Sequence, residues 1–201
     1  MKTFPRLFII CAALLAVFAS SPPAQQAAAP AAKAEDKTAP SYDLKAQAIL
    51  DLQQMQERFT SLAQAIPEEK YSWRPSPDVR SVGEVFLHVA AAGFNFPTMK
   101  GTPPASGFEA KGFEKSTTDK AKIIEWLNKS FSYSIASVDS MSNAEFATLL
   151  PKLGPQANEG DVVYLLVVHQ HEQLGHAIVY ARSVGVVPLW TAAALKKKQN
   201  P

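Results

Sequence analysis

SVGEVFLHVAAAGFNF, residues 81–96, begins with a helix start that can be read from chemistry alone. Ser81 and Glu84 form a capping box, in which each side chain satisfies the other residue's free backbone N–H. Behind it, Val82, Val85, Phe86 and Val89 recur at three- and four-residue steps, which puts an apolar face on a helix. That helix carries His88. It is expected to stop near Pro97, because proline has no N–H for the preceding turn.

The same reading extends to both sides. Upstream, Leu44, Ala48, Leu52, Met55, Phe59 and Leu62 predict a first helix ending near Ala65, and Pro75 and Pro77 keep the connection PEEKYSWRPSPDVR non-helical. Downstream, the long Gly/Pro-containing loop KGTPPASGFEAKGFEK follows the His88 helix, and loops of this length in compact domains are often lids or binding elements. A third helix, capped by Thr117 or Thr118, carries Ile123, Ile124, Leu127, Phe131, Ile135 and Val138 on its apolar face. Asn158 and Asp161 start a fourth, Gly185 ends it as a left-handed cap, and Pro188 blocks resumption. No segment alternates as a strand does. The expectation is therefore an all-α four-helix bundle, with a long crossover loop after the second helix.

The chain has 201 residues, 47% of them hydrophobic, enough for one domain with a real core. Residues 1–19 read as a secretory signal: Lys2 and Arg6, then the apolar run LFIICAALLAVF, then small residues up to a cleavage point after Ala19; the alternative is an uncleaved N-terminal anchor. Residues 20–40, SSPPAQQAAAPAAKAEDKTAP, read as a disordered Pro/Ala-rich linker. The bundle domain is placed at 41–191 and a solvated basic tail at 192–201. These segments imply a periplasmic or secreted protein with no stable membrane association after signal cleavage. The single cysteine, Cys11, lies in the leader, so the mature protein has neither a cysteine nucleophile nor a thiolate ligand. Net charge is only +2, and Lys2 and Arg6 contribute to it, so nothing suggests a nucleic-acid partner.

Three of the four histidines fall in HQHEQLGHAIVYARSVGVVPLW, residues 169–190. At about 100° per residue, His169, Gln173 and His176 share one face, and His171 lies on the other side. His169 and His176 are about 10.5 Å apart along the axis, too far for easy ligation of one ion through bonds of about 2.0–2.1 Å. The natural second ligand position, four residues after His169, holds Gln173. Glu172 is placed either as a base for a metal-bound water or as a partner of Arg182 or of a neighbouring helix. Trp73, Phe94, Phe96 and Trp190 read as core or interface, and Phe108 and Phe113 as pocket lining.

PEEKYSWRPSPDVRSVGEVFLHVAAAGFNF and HQHEQLGHAIVYARSVGVVPLW resemble, in order and separation, the two halves of the DinB/YfiT-like family, across roughly Tyr42 to Trp190. The resemblance implies a four-helix bundle, usually a homodimer. Its metal site takes one histidine from the second helix and two, four apart, from the last. His88 and His169 match the first two positions and Gln173 the third, while His176 stands where the family often has glutamine or asparagine. Tyr180 and Arg182 match positions with a structural role. Members of known activity include thiol-dependent transferases and a maleylpyruvate isomerase. The implied protein is an exported divalent-metal-dependent hydrolase or transferase acting on a small molecule. Zinc or nickel would be held weakly by His88, His169, Gln173 and His176. The alternative is a non-catalytic binding or scaffold module with a degenerate site.

Overall fold

The computed structural model describes residues 43–199, so the leader and linker segments expected at 1–19 and 20–40 lie outside the described residues. The described residues form five α-helices: α1 (Leu44–Ala65), α2 (Val82–Met99), α3 (Lys120–Asp139), α4 (Glu159–Ser183) and α5 (Leu189–Gln199). There is no β-strand among the described residues; one isolated bridge joins Leu149 to Asn158.

The helix starts follow the expected chemistry. In the capping box of α2, Glu84 N–H donates to Ser81 Oγ at 3.3 Å and Ser81 N–H to Glu84 Oε2 at 2.9 Å. Asn158 and Asp161 repeat the device at α4, at 3.0 and 2.9 Å. At α3 the expectation needs correction. Asp119 is the cap, accepting from Lys122 N–H at 2.9 Å, and Thr117 instead accepts from Asp119 N–H at 3.0 Å. Gly185, at φ +87°, ends α4 as read from the sequence. Pro188 then starts a helix rather than preventing one: its carbonyl accepts from Thr191 and Ala192 N–H, so the expected solvated tail is helical through Gln199.

α1 packs on α3 and α4, and so does α2, leaving α1 and α2 on one diagonal and α3 and α4 on the other. Lys45, at the start of α1, donates to the carbonyls of Asp139 and Met141 at and just beyond the end of α3, and Lys120, at the start of α3, donates to those of Gln64 and Ile66. α1 and α3 are therefore antiparallel, and each supplies a cation to the negative end of the other. α2 and α3 run parallel, since Gly83 lies against Ile123, Gly93 against Ser130, and Thr102 against Ser137. Residues 100–119 must then return along the bundle, which is the crossover expected from loop length.

The centre is aromatic. Phe59 meets Phe86 edge-on at 6.5 Å and Phe131 at 5.9 Å, and all three are within 1% of full burial. Tyr71 lies beside Phe86 at 6.0 Å and donates its hydroxyl to Ala63 O at 2.7 Å. α2 also continues past Pro97 to Met99. Proline leaves the carbonyl four residues back, Gly93 O, without its helical donor. Ser134 Oγ on α3 donates to that oxygen at 2.7 Å, and this tertiary bond allows the helix to run on.

Candidate functional site

α2 and α4 run antiparallel, and this brings His88 level with His169. Their rings meet edge-on with centroids 5.1 Å apart. Phe96 covers the other side of His169 at 5.6 Å. His169 Nε2 is buried and has no hydrogen-bond partner among the described residues. Burial first, and then the nearby charge of His88, lowers the pKa of His169 and favours the neutral ring.

His88 is oriented from elsewhere. Its Nδ1 lies 2.7 Å from Glu114 Oε1, a residue 26 positions away in the single 3₁₀ turn Phe113–Lys115 of the crossover loop. Gly112, at φ +77°, makes the turn that starts this element. Arg80, next to the α2 cap, grips the same carboxylate with Nε at 2.6 Å and a terminal nitrogen at 3.2 Å. Burial pushes the Glu114 carboxyl up, but the bonds from Arg80 and His88 outweigh it and the net shift is downward.

Gln173 and His176 line a cavity of about 760 Å³ between α2 and α4, together with Arg74, Arg80, Glu114 and Tyr180. Gln173 is buried and His176 exposed; Gln173 Oε1 lies 3.3 Å from His176 Nδ1. Of the residues singled out from sequence, His88 and His169 therefore touch one another, while Gln173 and His176 form a second pair on the cavity wall. His171 faces solvent, and so does Glu172, which makes no ion pair with Arg182 among the described residues. Phe108 and Phe113 do not reach this cavity, but Phe113 lines a separate, smaller one of about 340 Å³ beside Trp126. Both pack on Phe94, Phe108 stacking at 4.6 Å, and Phe113 also packs on Trp126 at 5.2 Å, which anchors the loop. Trp73 packs on Tyr180 at 5.7 Å, giving Tyr180 a structural contact.

Two imidazoles sharing a tetrahedral ion through bonds of about 2.0–2.1 Å hold their ring centres roughly 5 Å apart. The His88–His169 pair fits that spacing, and the orphaned His169 nitrogen suits a ligand. The third position does not supply a strong donor. Among the described residues no three His, Cys, Asp or Glu side chains form a group able to hold a metal ion, and the amide of Gln173 is neutral. Glu114 and Arg80 were not singled out from sequence. The only local signal was the length of the loop, since nothing in its residues says which side chain comes back to α2.

A family model described as the DinB superfamily matches residues 51–177. The chain belongs to the DinB superfamily. The DinB-like fold is also found in solved structures. A DinB-like protein from Bacillus cereus ATCC 10987 is 15% identical with a TM-score of 0.61, covering 70% of this chain and 93% of that one. A DinB-like protein from Bacillus subtilis is 17% identical with a TM-score of 0.55, covering 69% and 92%. A conserved protein from Enterococcus faecalis is 12% identical with a TM-score of 0.59, covering 72% and 98%. At these identities the likeness to this DinB chain is one of fold. No curated protein matches it.

Proposed function

We propose that this DinB-superfamily chain is an exported, divalent-metal-dependent hydrolase or transferase whose ion, zinc or nickel, is weakly held. One observation carries the reading: two imidazoles from facing helices meet at 5.1 Å, one with a buried, unpartnered Nε2 and the other tied by Nδ1 to a carboxylate. His88 and His169 would hold the ion, with the Gln173 carbonyl as a poor third donor and His176 at the cavity wall. When bound, the ion would supply Lewis acidity to a substrate or a water. The chain's own residues would do the rest. Glu114 holds the His88 ring, Phe96 covers His169, and Arg74 and Arg80, ion-paired with Glu84 and Glu114, line the cavity that would take a small molecule. Export would separate the site from cytosolic low-molecular-weight thiols, which favours hydrolysis over thiol transfer.

The alternative, a non-catalytic binding module, draws support from the missing third strong donor. Calorimetric titration of zinc into wild type and Gln173→His separates the two. Weak binding that tightens by orders of magnitude in Gln173→His supports the metal site. Negligible binding in both defeats it.

We further propose that the protein is a homodimer through α4. Tyr164, Val168, Gly175 and Val179 share one outward face, with Tyr164 and Val179 each 61% exposed. A mid-helix glycine costs about 1 kcal/mol relative to alanine. A side chain at Gly175 would meet nothing within 4 Å among the described residues, so the glycine leaves room for the close approach of a second copy.

A further inference from the structure

We infer that Glu114 is the positioning residue of His88: it fixes the proton on Nδ1 and leaves Nε2 as the nitrogen free to bind. The inference rests on the metal reading above. An ionised carboxylate only accepts hydrogen bonds, so in the 2.7 Å contact between Glu114 Oε1 and His88 Nδ1 the proton sits on nitrogen. In a neutral imidazole the other nitrogen then carries a lone pair.

The carboxylate is itself held on two sides. Arg80 bonds both of its oxygens, at 2.6 and 3.2 Å, and a planar guanidinium fork of this kind sets orientation as well as charge. On the chain side, Glu114 follows Phe113, which is buried against Phe94 and Trp126. The aromatic cluster thus sets where Glu114 stands, and Glu114 sets how His88 faces. A crossover-loop residue 26 positions after His88 thereby controls the binding nitrogen of a helix-borne histidine. Carboxylates that brace ligand histidines in this way change metal affinity by about 10–100-fold when removed.

The test uses the full chain, stripped of metal with a chelator and labelled with ¹⁵N-histidine. At pH about 8.5, above the ordinary histidine range, wild-type His88 should carry its proton on Nδ1. Glu114→Ala should move it largely to Nε2. Glu114→Gln, whose carbonyl can still accept, should keep much of the Nδ1 form, and it serves as the folded variant if the alanine protein misfolds. Zinc affinity should fall about 10–100-fold in Glu114→Ala, both alone and in the tighter Gln173→His background. A wild-type proton on Nε2 overturns the inference, as does a tautomer and zinc affinity unchanged by Glu114→Ala. If neither wild type nor Gln173→His binds zinc, the metal reading is lost. A proton that leaves Nδ1 when Glu114 is removed still upholds the positioning role.

Discussion

Ser134→Ala should destabilise the bundle more than the loss of one hydroxyl suggests, and only while Pro97 is present. Ser134 is 1% exposed and donates to Gly93 O at 2.7 Å. That carbonyl has no helical donor, because residue 97 is proline. Removing the hydroxyl leaves a buried acceptor unpaired, at about 1–3 kcal/mol. Taking 2 kcal/mol as the centre, a domain of about 150 residues should melt about 4–8 °C lower. The contact beside it is already tight, since a Cβ on Gly93 would come within 3.1 Å of Ser130, so the helices cannot simply close up to compensate. Pro97→Ala restores a backbone N–H aimed at Gly93 O. In that background Ser134→Ala should cost about 1 kcal/mol or less, because the acceptor keeps a partner. Urea unfolding of the four proteins gives the coupling directly. Equal costs of Ser134→Ala in both backgrounds would refute the argument and leave Pro97 as an ordinary last-turn proline.

Other outcomes follow from the same structure. Phe59→Ala, at the centre of the bundle, should cost about 3–5 kcal/mol in denaturant unfolding. Burial raises the Glu84 carboxyl, but the Ser81 N–H and Arg74 pull it further down, below its ordinary 4.5. A depressed folded pKa gives stability that is complete above the unfolded value and lost as pH falls through the folded one. Glu84→Gln should therefore lower stability at neutral pH and flatten the acid limb of the stability profile below about pH 4.5. Lys120→Met removes the cation that caps the end of α1 and should lower the melting temperature by a few degrees, about 1 kcal/mol. Val168→Glu, on the outer face of α4, should turn a dimer into a monomer in light scattering with little change in helical circular dichroism.

The sequence alone determined the four bundle helices and most of their ends, but not α5. Caps and apolar stripes are local, set by residues three and four apart, so Ser81–Glu84, Asn158–Asp161 and Gly185 could be read without neighbours. The length of the loop after α2 also indicated a crossover, because parallel helices need a long return. The family resemblance put His88 opposite His169. What only the tertiary structure decided involves groups brought together by folding across long stretches of chain. Pro97 looked like a helix end because its partner, Ser134, stands on another helix. Pro188 looked like a stop because a proline that ends one helix can equally begin the next. Gln173 and His176 share a helical face, yet one is buried and the other exposed, since burial depends on what packs opposite. Beyond the length of its loop, Glu114 gave no signal. A glutamate in a polar loop has no period and no cap to mark it, and it becomes the partner of His88 only when Phe113 docks the loop on the bundle and Arg80 closes on its carboxylate.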